Sequence, residues 1–151
     1  MFVVDTNILL YAANSDCREH DVCLELVERA RNQAGAWYAT WSILYDFLRI
    51  VSHPRVLSRP WKTEAAWHFV TSLLSSPGFS VLVETDRHAL VIDEIVGEAP
   101  DLAGNILSDL HVAALMREHG IATIYTRDVD FHRFSFLRVI DPMSGGTAFA
   151  R

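Results

Sequence analysis

Short apolar runs alternate along the chain with longer segments in which apolar residues recur at helical spacing. The apolar runs predict five strands: Phe2–Asp5, Trp37–Thr40, Phe79–Val83, Ile121–Tyr125 and Leu137–Ile140. The longer segments predict six helices: Thr6–Ala13, Cys17–Asn32, Ser42–Val51, Pro60–Ser75, Arg87–Gly97 and Ile106–His119. Because strands that alternate with helices form βαβ units, the pattern predicts an α/β fold with a parallel sheet.

Turn residues mark the ends of several of these helices. Gly35 follows the second helix, the pair Pro77-Gly78 follows the fourth, and Gly120 suits the position just after the sixth. Thr85-Asp86 is a candidate N-cap for the fifth helix. No repeat, low-complexity tract or linker-like stretch interrupts the series. We therefore expect residues 1–151 to form a single domain.

Composition narrows the class of protein. Half of the 151 residues are hydrophobic and 21% are charged, which is typical of a globular chain with a sizeable core and not of a disordered one. No run of 18 uncharged apolar residues is present, so no membrane span is expected. The first residues reach Asp5 without a basic segment, which argues against a signal peptide. Cys17 and Cys23 form no CxxC pair, and we expect a reduced, cytoplasmic protein.

The formal net charge of −6 argues weakly against a nucleic-acid partner, because such domains usually carry a basic footprint. One stretch, from Phe47 to Thr63, has no acidic residue. Its basic and aromatic residues are Arg49, Arg55, Arg59, Trp61 and Lys62. We expect Arg55 and Arg59 to contact phosphates, with Trp61 available for base stacking. The alternative is that Arg49 pairs with a carboxylate and the other basic residues keep a loop solvated.

Two acidic residues follow strands. Asp5 closes the first predicted strand, and Asp128 lies just beyond the strand Ile121–Tyr125. In open parallel sheets the functional sites lie at the carboxyl ends of the strands, so both side chains are expected at one edge of the sheet. Each could instead cap the helix that follows it, and the two roles are compatible.

Two further acids lie within predicted helices. Asp109 shares its helical face with Val112, Ala113 and Met116, and burying an unpaired carboxylate there would cost several kcal/mol. A functional role therefore explains Asp109 better than a favourable position near the start of a helix. Asp46 repeats the pattern, but Arg49 lies three residues later, and a structural ion pair explains Asp46 equally well.

The four carboxylates could converge on one cleft. Crowded carboxylates repel one another, and the usual resolution is a shared proton or a bound hard cation. Mg²⁺ and Mn²⁺ prefer oxygen ligands, and such sites serve phosphate chemistry.

Several segments, spread in order over nearly the whole chain, together form a recognisable pattern. They are Val3–Tyr11, Thr40–Arg49, Ser52–Val56, Asp109–Leu115, His119-Gly120, Thr126–Phe131, Phe134 and Leu137–Val139. The pattern resembles the PIN domain of VapC toxins from bacterial toxin–antitoxin pairs. This resemblance implies a three-layer α/β/α fold with a central parallel sheet. It also implies divalent-metal-dependent endoribonuclease activity that leaves 5′-phosphate and 3′-hydroxyl ends, and inhibition by a small antitoxin.

The resemblance also implies roles for matching residues. Asp5, Asp109 and Asp128 coincide with metal-binding acids, and Mg²⁺ or Mn²⁺ is the expected cofactor. Asp46 stands where the family usually has Glu, and its side chain is shorter by about 1.5 Å. Asp46 could then reach a metal through water, its helix could lie closer, or catalysis could be weakened. Residues expected to orient the carboxylates are Thr6, Asn7, Asn105 and Thr126, while exposed Asp130 is placed outside the core site.

The expected partners are an RNA substrate, a small cognate antitoxin and a second copy of the chain in a homodimer. Apolar residues of the second and fourth helices, including Trp67 and Phe69, are explained first by core packing. An antitoxin groove and a homodimer face are the alternatives for these helices. The seven histidines show no metal-ligand spacing such as HExxH, and His111 is expected off the face of Asp109.

Two other functions compete with the nuclease. A haloacid-dehalogenase-like phosphohydrolase also places an Asp after its first strand, but that family requires Asp-x-Asp, and this chain has Asp5-Thr6-Asn7. Its usual lysine is also unmatched, because Lys62 is the only lysine in the chain. A non-catalytic PIN-like binding module is the other alternative, and the replacement of Glu by Asp46 favours it.

Overall fold

The computed structural model describes residues 1–144, and the predicted single domain over residues 1–151 therefore extends beyond the described residues. The strands are β1 Phe2–Val4, β2 Trp37–Thr40, β3 Phe79–Leu82, β4 Thr123–Tyr125 and β5 Arg138–Ile140. The helices are α1 Thr6–Ala13, α2 His20–Asn32, α3 Trp41–Val51, α4 Thr63–Leu74, α5 His88–Glu98 and α6 Ile106–Glu118. Two short 3₁₀ helices cover Val129–Arg133 and Pro142–Ser144. The predicted alternation of strands and helices is confirmed.

The strands form one parallel sheet in the order β3-β2-β1-β4-β5. The chain builds outward from β1 through β2 to β3 and then returns to the other side of β1 with β4. The strand order therefore reverses between β1 and β4. In open α/β sheets, the crevice at the carboxyl ends of the strands beside such a reversal is where ligands bind.

The six helices flank the sheet, which confirms the predicted α/β/α fold. Val3 and Val4 of β1 and Ile124 of β4 have no exposed surface. Such continuously apolar strands are typical of a parallel sheet that is covered on both faces. Helix α1 packs against α2 and α3, and α5 packs against α6. None of the described helices is long and apolar enough to cross a bilayer.

Three predicted boundaries shift because local hydrogen bonds favour another conformation. Helix α2 begins at His20 rather than Cys17, since turn hydrogen bonds occupy the preceding residues. Helix α4 begins at Thr63 rather than Pro60, since the Trp61 amide donates to the carbonyl of Val51 at 2.9 Å. Strand β4 begins at Thr123 rather than Ile121 because the Ile121 amide donates to the Met116 carbonyl at 2.8 Å. That bond completes the end of α6, where Gly120 adopts φ +67° as predicted.

The predicted N-cap of the fifth helix lies just before the observed one, although Oγ1 of Thr85 does accept the backbone N–H of Arg87 at 3.2 Å. Helix α5 begins at His88, and its N-cap residue, Arg87, makes no side-chain capping bond. The amide and hydroxyl of Thr85 both donate to the Glu118 carboxylate, at 2.7 and 2.6 Å. Thr85 therefore joins the start of α5 to the end of α6.

Candidate active site

Asp5 lies at the sharp turn from β1 into α1, and only 8% of its surface is exposed. Its Oδ1 accepts the backbone N–H of Thr6 at 2.6 Å, which caps the helix. Its Oδ2 accepts two side-chain donors, Thr126 Oγ1 and Asn7 Nδ2, both at 2.6 Å. The two roles considered for Asp5 therefore coexist: one oxygen caps α1, and the other joins a polar cluster below the cleft.

Thr126, which is almost completely buried, is the centre of that cluster. Its hydroxyl donates to Asp5 and accepts from Asn7 Nδ2 and from the backbone N–H of Asp128, both at 2.9 Å. A hydroxyl has one proton to donate and two lone pairs, and all three are used here. Thr126 thereby fixes the loop after β4 relative to Asp5, as expected of a residue that orients the carboxylates.

Asp128 and Asp109 complete the acidic surface at the reversal of the strand order. Asp128 Oδ1 accepts the Asp130 amide at 2.9 Å and so caps the 3₁₀ helix that follows β4. Carboxylate oxygens of Asp109, Asp128 and Asp130 lie within 4.8 Å of one another. Asp130, which was expected outside the core site, is exposed, yet the 3₁₀ turn brings its carboxylate close to Asp109 of α6.

The electrostatics of this region differ from those of ordinary surface acids. Burial, followed by the nearby charges of Asp128, Asp5 and Asp130, raises the pKa of Asp109 to about 7. Burial also raises the pKa of Asp5 to about 6, even though its hydrogen bonds from Thr126 and Thr6 act in the opposite direction. Both carboxylates are therefore costly to ionise in the folded chain, and positive charge placed among them would relieve this cost.

Asp46 reaches the same cleft from α3 but lies in a different environment. Its side chain is 47% exposed, and its Oδ1 accepts Nε of Arg49 at 3.1 Å. The ion pair considered from the sequence is present, and Asp46 lines the cleft as well. The structure does not show it among the clustered carboxylates of Asp109, Asp128 and Asp130.

The cleft has a volume of about 580 Å³, and all four predicted acids line it. Thr6 and Asn7 lie in its wall as expected, whereas exposed Asn105 does not line it. Ser42 and His111 also line it. They were missed because α3 and α6 approach from opposite sides, and no local spacing reveals that approach.

The donor atoms test whether a divalent metal suits this cleft. They are predominantly carboxylate oxygens, and no basic side chain is among the described residues that line the cleft apart from His111. Oxygen-rich sets of this kind suit Mg²⁺ and Mn²⁺ better than softer ions. The raised pKa values of Asp5 and Asp109 agree, because a cation would supply the missing positive charge. The residues present therefore fit the expected ion.

Comparison with known proteins assigns the chain to a family. The model of the PIN domain family matches residues 2–137. Ribonuclease VapC48 of Mycobacterium tuberculosis is 34% identical over 141 residues, which cover 93% of this chain and 97% of that protein. Ribonuclease VapC43 of the same species is 35% identical over 147 residues, covering 97% of this chain and 99% of that protein. The chain belongs to the PIN-domain family of VapC ribonuclease toxins.

A solved structure with the same fold is that of VapBC2 from Rickettsia felis bound to a DNA fragment from their promoter. It superposes with a TM-score of 0.62 at 20% identity and covers 92% of this chain and 96% of that one. The resemblance to VapC toxins noted in the sequence is thus confirmed. The haloacid-dehalogenase alternative is overturned by the match to the PIN family.

This VapC chain contains an ion pair that the sequence analysis missed. Nη1 of Arg127 donates to Oε1 of Glu19 at 2.6 Å, although 108 residues separate the two. The backbone N–H of Arg127 donates to Asn7 Oδ1 at 3.2 Å. The residue between Thr126 and Asp128 therefore ties the acidic loop to the start of α2. Both partners were visible in the sequence, but nothing in their spacing indicated that they meet.

The expected RNA-binding surface of the VapC chain is modified by the structure. The ring of Trp61 packs edge-on against Phe47 and Phe69, so it anchors a loop to the core rather than standing free for base stacking. Arg49 pairs with Asp46, the alternative considered above, and Arg59 lies 3.9 Å from Asp16. Arg55 is exposed and remains a candidate for phosphate contact.

Proposed function

We propose that this VapC chain is a cytoplasmic, divalent-metal-dependent endoribonuclease whose cleft binds Mg²⁺ or Mn²⁺ through Asp5, Asp109 and Asp128. The observation that carries the proposal is a cleft lined by all four predicted acids. Asp109 and Asp128 cluster there with Asp130, and burial raises the pKa values of Asp5 and Asp109. When bound, the ion supplies an activated water and offsets negative charge on the phosphoryl group under attack.

The chain's own residues have separate tasks in this proposal. Thr126 and Asn7 hold Oδ2 of Asp5 with two short hydrogen bonds, so Asp5 needs little rearrangement to act as a ligand. Asp109 and Asp128 face it from α6 and from the loop after β4. Asp46, which is more exposed and is balanced by Arg49, is placed to accept a proton or to orient the attacking water. Asp130 supports the cluster from its outer side.

The cleft is proposed to take single-stranded or looped RNA as its substrate. It is an open crevice in which acids dominate, and the phosphate backbone can enter only when a cation neutralises them. Exposed Arg55 lies on the loop after α3 and is proposed to contact a flanking phosphate. Neutralising Arg55 should flatten the salt dependence of RNA binding, and an unchanged slope would remove it from the interface.

A small antitoxin and a second copy of the chain are the proposed protein partners. The chain shares its fold with VapBC2, which supports the first of these. Trp67 of α4 is 44% exposed, unlike its neighbour Phe69, which packs against Phe47. This aromatic surface on α4 is suited to an apolar partner.

The proposal is tested by incubating total RNA with the purified chain, with and without Mn²⁺, and mapping the new ends. We expect Mn²⁺-dependent cuts that leave 5′-phosphate and 3′-hydroxyl ends, and no cuts with Asp5→Ala. The matched control is Asp93→Asn, which neutralises an exposed acid of α5 outside the cleft and should cut at the wild-type rate. Wild-type activity in Asp5→Ala would refute the site.

The non-catalytic binding module remains the second candidate because Asp46 replaces the usual Glu. It predicts RNA or antitoxin binding without cleavage, and no uptake of Mg²⁺ or Mn²⁺ by the cleft. Calorimetric titration of both ions into the wild-type chain and into Asp109→Asn distinguishes the two functions.

A further inference from the structure

A second group of potential metal ligands lies beside the acidic cleft and has a different chemistry. Glu84 follows β3, His88 is the first residue of α5, and His111 lies in α6. One ligand atom from each residue, a carboxylate oxygen or a ring nitrogen, lies within 4.8 Å of the other two. Three separate elements therefore bring two imidazoles and a carboxylate together.

His88 is held by a buried carboxylate. Its Nδ1 forms a short hydrogen bond with Oε1 of Glu118, whose side chain has no exposed surface. Burial raises the pKa of Glu118, but hydrogen bonds from Thr85 and His88 outweigh it, and the pKa lies below its ordinary value. An ionised carboxylate can only accept, so the proton must lie on Nδ1 of His88. With Nδ1 donating to Glu118, Nε2 is the ring nitrogen that remains to coordinate an ion.

This arrangement is the usual environment of a metal-binding histidine. Such residues donate their second N–H to a carboxylate or carbonyl, which fixes the ring and makes the ligating nitrogen more basic. His111 has a weaker partner, because its Nδ1 lies 3.4 Å from the hydroxyl oxygen of Ser42. Its Nε2 lies 2.9 Å from Oε1 of Glu84, so these two prospective ligand atoms already face each other.

We propose that Glu84, His88 and His111 form a binding site for a transition-metal ion of the zinc class, with ligands distinct from the carboxylates of the cleft. Two imidazole nitrogens and one carboxylate oxygen are a common ligand set for Zn²⁺, with a fourth position open to water. The same set is poorly suited to Mg²⁺, which prefers oxygen. The ion would replace the hydrogen bond between Nε2 of His111 and Oε1 of Glu84, and the ring would then carry its proton on Nδ1, towards Ser42.

The location of the site gives it a structural consequence. It joins the segment before α5 to α6, whose Asp109 belongs to the cleft only two residues from His111. His111 itself lines the cleft. A bound ion would therefore fix one wall of the cleft without using any of its carboxylates. The proposal concerns metal binding and does not depend on RNA cleavage.

The test uses Co²⁺, whose visible absorption reports on nitrogen-containing, four-coordinate sites, and the full-length chain carrying Asp109→Asn and Asp128→Asn. These changes remove two carboxylates of the cleft, so the remaining uptake reports on the second site. We expect a single equivalent of Co²⁺ to bind with an intense visible spectrum. Zn²⁺ should displace it, and a large excess of Mg²⁺ should not.

Variants locate the ligands in the same background. His88→Ala and Glu84→Gln should each weaken Co²⁺ binding at least about 10-fold, and Glu118→Gln should weaken it by about 10- to 100-fold. His68→Ala, an exposed histidine of α4, is the matched control and should bind as the parent does. Glu84 is exposed, so its substitution tests the site even if a change at His88 impairs folding.

Thermal unfolding completes the test, since Zn²⁺ should raise the unfolding temperature of the parent and of His68→Ala but not of Glu84→Gln. Absence of the Co²⁺ spectrum in the parent would show that the cluster is only a hydrogen-bonded network. Unchanged binding in Glu84→Gln and in any folded His88→Ala would equally overturn the proposal. Because the cleft is already disabled in this background, neither outcome bears on the nuclease.

Discussion

The two helices that wall the cleft each present an aspartate from a largely apolar segment, yet the two carboxylates are in opposite environments. Asp46 of α3 is 47% exposed and pairs with Arg49 in the same helix. Asp109 of α6 is half-buried, and the charges that raise its pKa belong to Asp128, Asp5 and Asp130. One acid is neutralised within its own helix, and the other is surrounded by further acids.

The residue three positions later explains the difference. After Asp46 this position holds Arg49, which reaches back along the exposed side of α3. After Asp109 it holds Val112, which is buried in the core. Asp109 therefore depends on something outside its helix for positive charge, and the proposed divalent ion would provide it. The comparison supports the proposal that Asp109 binds the metal and that Asp46 has a supporting role.

The largest expected effect is on RNA cleavage. Asp109→Asn removes a proposed metal ligand and should lower the Mn²⁺-dependent rate at least about 100-fold. Asp46→Asn should lower it by only about 10-fold, because the group that it removes acts on a proton or a water. Initial rates on one defined RNA give both values. Equal losses in the two variants would remove the distinction between the two walls.

The second effect concerns stability without metal. Because the pKa of Asp109 is raised to about 7 in the folded chain, the folded state binds a proton that the unfolded chain releases near pH 4. The free energy of unfolding should therefore fall as the pH rises from about 4 to about 7. Asp109→Asn should remove this fall and stabilise the metal-free chain at pH 8 by about 1 to 3 kcal/mol. Urea unfolding in the presence of EDTA measures the free energy of unfolding of both chains.

Asp46→Asn is the control for that experiment. It removes only an exposed ion pair and should change the free energy of unfolding by no more than about 0.5 to 1 kcal/mol at pH 8. Asp5, whose pKa is also raised, remains in both variants, so part of the pH dependence should persist. If Asp109→Asn keeps the full pH dependence of the wild type, the cost of ionising a carboxylate in the folded chain does not lie at Asp109.

A smaller effect is the stabilisation by metal. Mg²⁺ at about ten times its dissociation constant should add about 1.4 kcal/mol to the wild-type chain, or about 3 to 6 °C in unfolding temperature for a chain of this size. Asp109→Asn should lose this shift, whereas Asp46→Asn should retain most of it. Differential scanning calorimetry with and without Mg²⁺ checks the result. A full shift in Asp109→Asn would place the ion elsewhere.

The smallest effect tests the departure from the family pattern. Asp46→Glu lengthens the side chain by about 1.5 Å and should raise the cleavage rate about threefold if the shorter acid weakens catalysis. The same change at half-buried Asp109 should lower the rate, because added length must displace packed neighbours. A rate in Asp46→Glu that equals or falls below the wild type would show that α3 already compensates for the shorter residue.

Much of the cleft was predictable because the acids that line it follow local rules. Asp5 directly follows β1, Asp128 lies shortly after β4, and Asp109 interrupts an apolar helical face. Each of these features can be recognised from residues that are close together in the sequence. For a related reason, Asp130 and His111 lie nearer the cleft than the sequence indicated. Local spacing indicates whether a side chain is exposed or off a helical face, but it does not show that a 3₁₀ turn or a facing helix brings that side chain back to the cleft.

The sequence by itself determined the order of strands and helices, the turn at Gly120 and the acids at the strand ends, because periodicity and capping depend on neighbouring residues. Only the tertiary structure decided that β4 pairs with β1, which brings Thr126 within 2.6 Å of Asp5 across 121 residues of chain. It also decided that Arg127 meets Glu19, and that two histidines from α5 and α6 meet Glu84. Such contacts depend on how helices and strands pack against one another. A local sequence pattern does not indicate which distant segments pack together.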